Sequence, residues 1–448
     1  MVLFLLSTAM AGDTNPQLAE ELSLQQALSL SETSNEELGV ARLQLQAAKM
    51  THRSIQVQMI PPIQISANWM DYGDALEVNF LGDSEIDCEP LEAFGFGDLC
   101  SGFNEPMLIR DEQVFSGQMQ AIIPISSLYS LYYGGQYASA TAKLSEHDKD
   151  ITEANVKIQI VQNYMTVLSL QKAITFAQGM ISRLESHRSN IQLMIEQDLS
   201  NPLDLAKIET ALLDAKLAKQ KAESGLHLSI EGLSLLVGQR ILPQPVTSND
   251  YPLFSLEGDT PSLHPSVERS RQQLRAADAG RKIAWLDLVP MINVIFGTSV
   301  ASGQGPFTPE SQNFVGLSLS STFGWGHQMY EAKASELQFQ MAQKALTLQK
   351  KAVQMQVSRF QSEVHLAHAA IAVAQSKSDI AIEAQRQAKL RFEQQMLSAS
   401  GLLEVESQLL EAHLFLADAQ KDYLVAIARY QQALGIDVNP TVIWSDNK

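Results

Sequence analysis

The chain has 448 residues, 45% hydrophobic and 18% charged, a globular composition that excludes wholesale disorder. Its formal net charge of -18 excludes a nucleic-acid partner, which needs concentrated Lys and Arg to displace phosphate counterions. No apolar run reaches the roughly 18 residues that a membrane-spanning helix requires, so a contact with a bilayer would not be made by a helix.

The chain opens with MVLFLLSTAMAG, in which an apolar stretch from Val2 to Leu6 precedes Ala9-Met10-Ala11, a small-residue pattern typical of leader cleavage. Residues 1–11 therefore read as a signal peptide, although the usual basic residues in front are missing and a buried N-terminal strand is the other reading. No cysteine lies near the cleavage position to carry a lipid. From about Asn35 to Ile60 the apolar periodicity predicts a helix, stopped by Pro61 because proline lacks the backbone donor and disfavours helix before it. PPIQISANW then alternates: Ile63, Ile65, Ala67 and Trp69 point one way, and Gln64, Ser66 and Asn68 the other.

Residues 71–114 carry twelve Asp or Glu against Arg110 alone, so this loop supplies a net -11 of the total charge. It also contains Cys88 and Cys100, whose position in a polar loop fits an oxidising, exported location in which a disulfide persists; two unpaired thiols are the alternative. The acidity reads as plain solvation, with binding of calcium or another divalent cation as the alternative. A second strand places Phe115, Gly117, Met119, Ala121 and Ile123 opposite Ser116, Gln118 and Gln120. A helix of 62 residues follows, from about Gln136 to Gln197, then a tip in IEQDLSNPLDL and a helix of 35 residues from Leu203 to Val237, closed by Gly238.

After residues 239–264 the same order returns. Sliding the sequence by 229 residues sets Leu38–Ile65 over Val267–Val294 with seven identities in twenty-eight pairs, Pro61 over Pro290 and Ile63 over Ile292 among them. At an offset of 197, Leu205, Glu209, Leu212 and Gly238 fall on Leu402, Glu406, Leu409 and Gly435. This predicts a tandem duplication: a first repeat at 12–238, a linker at 239–264, a second repeat at 265–435 and a tail at 436–448. In the second repeat Ile292, Val294, Phe296, Thr298 and Val300 oppose Asn293, Gly297 and Ser299, and Val315, Leu317, Leu319 and Phe323 oppose Gly316, Ser318 and Ser320. The long helix carries a seam at Val353, Val357, Phe360, Val364, Ala367, Ile371 and Ala374. The last helix carries one from Leu402 through Leu409, Ala412, Tyr423 and Tyr430 to Ala433, the spacing of helices packed side by side over many turns. Two shorter helices end to end match one long one, about 90 Å at 1.5 Å per residue, which describes the wall of a tube.

Each strand has the nine or ten residues that cross a bilayer when tilted. As the helices spend their apolar stripes on one another, lipid is the expected cover for the strands; an ordinary half-buried sheet is the alternative. Four strands cannot close into a barrel, and bare edges in hydrocarbon would strand backbone groups, so several copies have to complete it.

No GxxxxGK[ST] loop is present, so energy has to come from a partner, and GFGDLC at 95–100 does not make a dinucleotide site. His365 and His368 have metal-like spacing but no third ligand nearby. No constellation supports an enzyme, and no cofactor or metal is expected.

The helix-Pro-strand junctions, the duplicated layout and GLLEVESQLLEAHLFLADAQKDYLVAIARYQQALG at 401–435 resemble the TolC-like outer membrane efflux proteins of Gram-negative bacteria. The resemblance implies a mixed, mostly α fold: long coiled-coil-like helices forming an α-barrel, and four transmembrane β-strands per protomer in a shared twelve-stranded β-barrel of a homotrimer. It implies a passive export duct of a tripartite efflux or type I secretion system, held in outer membrane lipid, reaching into the periplasm and docked to a periplasmic adaptor protein and an inner-membrane transporter. A soluble or surface-attached coiled-coil scaffold is the rival reading. Family members often carry a glycine before each tip, which this chain lacks. Leu199, Ser200, Asn201, Leu397, Ser398 and Ala399 are candidates for adaptor docking, with simple turn chemistry as the alternative. Asp379 and Glu383 share a helix face near the second tip and either line the entrance, favouring cations, or lie on a solvated outer face.

Overall fold

A computed structural model describes residues 20–78, 87, 89–92, 106–197, 201–244, 251, 264–305, 308–321 and 325–439. The signal segment 1–11, Cys88, Cys100, Leu199 and Ser200 lie outside the described residues, as do most of the 239–264 linker and the end of the tail. The elements in chain order are β1 (Glu20–Leu22), α1 (Leu24–Ser34), α2 (Glu36–Val57), β2 (Ile63–Asp71), β3 (Leu76–Val78), a single turn α3 (Glu89–Glu92), β4 (Met107–Pro124), α4 (Ser127–Glu196), α5 (Pro202–Val237), β5 (Ile241–Pro243), α6 (Pro265–Leu286), β6 (Met291–Gln304), β7 (Ser311–Ser320), α7 (His327–Glu393) and α8 (Ala399–Leu434). Corresponding helices of the two halves match in length: 22 residues in α2 and α6, 70 and 67 in α4 and α7, and 36 in α5 and α8.

The chain forms two compact units, one drawn from residues 1–47, 143–272 and 344–448, the other from 48–142 and 273–343. The first is helical. Its core gathers Leu38, Tyr164, Leu233, Ile241, Tyr423 and Ile427, all but sealed from solvent. The heptad seam of the last helix is buried where its spacing predicts, at Leu402, Leu409, Ala412, Ala419, Tyr423, Ala426, Tyr430 and Ala433.

Three features of this unit differ from the sequence reading. The helix expected from Asn35 to Ile60 starts instead as α2 at Glu36 and ends at Val57, and a separate α1 precedes it. Asn35 makes the break: its side-chain oxygen accepts from Leu38 N at 2.9 Å, and its amide donates to Leu236 O at 2.8 Å. Helix α1 is started by Ser23 and Gln26, whose side chains cap each other's backbone N–H groups. Strands β1 and β5 pair in parallel, and the buried Tyr164 hydroxyl lies 2.9 Å from Leu22 O and 3.1 Å from Gln244 O, tying both segments to α4.

In the second unit the strands form one antiparallel sheet in the order β2-β4-β6-β7, with β3 paired to β4 off that path. Strand β4 is twice the expected length because Met107 to Arg110 continue it against β3 and Gln304. Strand β7 starts at Ser311, four residues earlier than expected, through the pairing of Ser311 with Val300. Helix α4 starts at Ser127 instead of Gln136. Gly134 and Gly135 lie inside this helix, where an added Cβ would make only ordinary contacts, with Ile55 at 3.8 Å and Met59 at 3.4 Å.

Helices α5 and α8 both end on a glycine in the left-handed region, Gly238 at φ 83° and Gly435 at φ 72°. A Cβ on Gly238 would also stand 2.8 Å from both Cβ and O of Ser34. Gly238→Ala should therefore cost at least the roughly 1–2 kcal/mol of a left-handed L-residue. A helical thermal midpoint followed at 222 nm should fall by about 2–4 °C or more.

Candidate functional site

Strand register decides which side chains share a face of the sheet. Ile63 pairs with Ala121, Ile65 with Met119 and Trp69 with Phe115. Ala121 continues to Phe296 and Ile123 to Val294; Phe296 faces Val315, Val294 faces Leu317 and Ile292 faces Leu319. Every described apolar position read from the alternation thus falls on one face, in phase across all four strands, while Phe323 lies outside the described residues. That face is bare: Ile65 is 77%, Val315 82% and Leu317 72% exposed, and Ile63, Trp69 and Leu319 are similar. An uncovered apolar sheet of this extent marks an interaction surface, because single scattered residues would not keep phase over four strands.

The opposite face carries polar rows beside the apolar Ile122, Ile295 and Phe314. Gln64 pairs with Gln120, whose amide donates to Gln64 Oε1 at 2.9 Å; Ser66, Gln118, Ser299 and Gln312 form the next row. Pro61 and Pro290 precede this sheet as expected. Helix α2 ends four residues before Pro61, and β6 starts immediately after Pro290.

Both outer strands leave an edge open. Among the described residues β2 pairs only with β4, and β7 only with β6. Neither carries the Lys or Pro that usually blunts an edge, and Asp71 is the single charge on the two.

The helices do not spend all their apolar stripes on each other, which corrects the sequence reading. In the helical unit, α7 exposes Leu348, Met355, Leu366, Val373 and Ile380 at heptad-compatible spacing. On α5, Leu213, Leu217, Leu228 and Leu235 are exposed as well.

At the tips, Asn201 caps α5 by accepting from Leu203 N at 2.7 Å, and Ser398 caps α8 by accepting from Gly401 N at 3.2 Å. Ala399 is buried with Ile191, Ile208, Ala388, Phe392 and Leu402, and Leu397 packs against that cluster. The structure thus brings both tip segments onto one apolar knot, reinforced by Lys207 Nζ donating to Ser400 Oγ at 2.8 Å. Asp379 and Glu383 are exposed on α7. Gln375 donates to Asp379, while Arg386 donates twice to Glu383, at 2.7 and 2.9 Å; these hydrogen bonds, with one from Gln387, hold the Glu383 carboxyl down at about 2. Arg386 offsets the charge that a cation-attracting entrance would use. His365 is exposed, His368 lies 3.0 Å from Tyr251 O, and no metal-holding group of three or more His, Cys, Asp or Glu occurs among the described residues.

A buried polar cluster was not foreseen. Glu406 of α8 is fully buried; Arg183 Nε of α4 donates to it at 2.7 Å and Gln385 Nε2 of α7 at 2.9 Å, with His187 Nε2 of α4 at 3.5 Å. Burial pushes this carboxyl up, but the approach of His187 and the hydrogen bonds from Gln385 and Arg183 outweigh it and hold the group below its usual range. A depressed carboxyl contributes stability that is present above its unfolded value and lost as pH falls through the folded one. Glu406→Gln should therefore cost about 1–2 kcal/mol at pH 7, discounted because Arg183 is one-third exposed. The gap between variant and parent should begin to shrink only once pH falls below the ordinary glutamate value of about 4.3, a trend readable in thermal midpoints across an acid pH series.

No family model matches the chain, and no curated protein matches it by sequence. Solved structures do. The outer membrane channel CmeC of Campylobacter jejuni superposes with a TM-score of 0.77 at 13% identity, over 92% of this chain and 85% of that one. The outer membrane protein VceC of Vibrio cholerae gives 0.75 at 12% identity over 93% and 97%, and the MtrE outer membrane channel of Neisseria gonorrhoeae 0.73 at 15% over 93% and 90%. The fold is that of outer membrane channels. Mostly helical, with a sheet built on four long strands and the short β3, it is the mixed class that the sequence implied.

Proposed function

We propose that this protein is a passive export duct of the outer membrane, completed by copies of itself. The observation that carries this reading is the bare, in-phase apolar face of the β2-β4-β6-β7 sheet; the shared fold supports it. Backbone groups in hydrocarbon have to be paired, so a spanning sheet must close. The strand order gives β2 and β7 opposite directions, so β7 of one copy can extend the sheet onto β2 of the next in antiparallel register. A head-to-tail ring of three copies would give twelve strands, and the exposed heptad stripe of α7 has the pattern to pack on a neighbouring copy. Tyr129, Tyr132, Trp285, Trp325 and Tyr330 are exposed just past the strand ends, where aromatic side chains anchor a sheet at the lipid headgroups.

In this reading the duct performs no chemistry, and an inner-membrane transporter supplies the energy through a periplasmic adaptor. Asn201, Leu397, Ser398 and Ala399, with Leu199 and Ser200, are the proposed adaptor contacts. The two repeats at 12–238 and 265–435 would each furnish half of one copy's wall.

Val315→Arg and Leu317→Arg should each cost about 2–4 kcal/mol at the bilayer midplane and remove the protein from the outer membrane fraction. Gln118→Arg, on the polar face, should leave assembly intact. Native mass spectrometry of the detergent-extracted parent should give a trimer. Recovery of the parent as a soluble periplasmic monomer would instead favour the coiled-coil scaffold.

A further inference from the structure

The lipid-facing side of a spanning sheet has to be free of charge; the other side does not, and lumenal charges are how such barrels select among solutes. In this chain both sides are free of it. No Asp, Glu, Lys, Arg or His occurs in residues 54–70, 113–142, 288–309 or 311–326, which hold the paired core of all four strands and run on into the first turns of α4. Charges resume only at the loop end of the sheet, with Asp71, Arg110, Asp111, Glu112 and Glu310, and in the helices. The polar groups on the other face are therefore amides and hydroxyls. Gln118 donates to Gln120 and Gln120 to Gln64, so several of these amides are already satisfied by one another.

An apolar band adjoins them on the same face. Ile122 pairs with Ile295, which faces Gly316, and Phe314 stands opposite Gly297 one row away. At Gly297 a side chain would collide with the backbone of Met119 and Gln120, so the glycine keeps this row tightly drawn. Counted at about 3.4 Å per residue, the row of Gln64, Gln120 and Phe314 lies about 14 Å or more along its strands from the nearest charge, Glu310. That exceeds the roughly 8 Å over which charge is felt at physiological salt.

We infer that the strand-lined passage does not sort cargo by charge: its neutral lining, with an apolar band beside an amide row, suits amphipathic molecules of either sign or none. This rests on the duct reading, deepens it to a class of cargo, and leaves any charge preference to the acidic outer loop or the helices.

The test uses the assembled full-length protein in outer membranes, with Cys88→Ser and Cys100→Ser as background and single cysteines at Gln64→Cys and Gln120→Cys on separate strands. Cationic trimethylammonium-ethyl and anionic sulfonato-ethyl methanethiosulfonate are compared at each site with their rates on free cysteine. The inference expects the cation-to-anion ratio at both sites to stay within about threefold of the free-thiol ratio. A preference of about tenfold or more in either direction overturns it while leaving the duct intact. Val315→Cys and Leu317→Cys, on the opposite face, should resist both charged reagents. If they react as readily as Gln120→Cys, or if neither polar site reacts, the water-filled passage itself fails, and the inference with it.

Discussion

A peptide group that leaves water has to find a hydrogen-bond partner, and almost everything notable about the sheet follows from that requirement. Four strands satisfy one another internally, yet β2 and β7 keep an open side with no lysine, proline or bulge to protect it. In a water-soluble protein such edges invite aggregation. Together with an apolar face that the chain itself leaves uncovered, they describe a part instead of a whole. The two defects have a common remedy, since a ring of copies pairs the edges while lipid covers the face.

The helical unit solves a different problem. Long helices of modest hydrophobicity hold together through heptad seams, and polar residues placed inside those seams fix which helix meets which. Glu406 is such a residue. It joins α4, α7 and α8 through Arg183 and Gln385. A buried carboxylate is costly if any partner is lost, so an alternative pairing of these helices is penalised far more strongly than by mismatched leucines.

Much of this was legible in the sequence. Alternation at Ile63, Ile65 and Trp69, the two helix-ending prolines and the seam from Leu402 to Ala433 read directly into strands, junctions and a buried stripe, because each depends on a local period. What escaped depends on distant partners. Glu406 occupies an ordinary polar position in EVESQLL, and its counterpart in the internal alignment, Glu209, is exposed, so the repeat pointed away from a buried role. The β1–β5 pairing joins segments more than two hundred residues apart with only three residues each. The start of α4 at Ser127 lies nine residues before the expected Gln136, and the helix runs through Gly134 and Gly135 despite glycine's low propensity. Among the candidate site residues, the caps at Asn201 and Ser398 followed from turn chemistry, whereas the burial of Ala399 depended on which helices meet at the tip.

The joints between strands and helices are unequal, and this has a mechanical consequence. Between β2 and its helix lie two prolines, and the step from β7 into α7 passes through Trp325 and Gly326, both at positive φ. Between β4 and α4 there are only Ile125 and Ser126, and the amide of each is held by Ile292 O. Such a short, clamped splice has no slack in torsion. The opening turns of α4 cannot swivel without dragging β4 along its ladder, so any twisting of this long rod has to be taken up farther down its length.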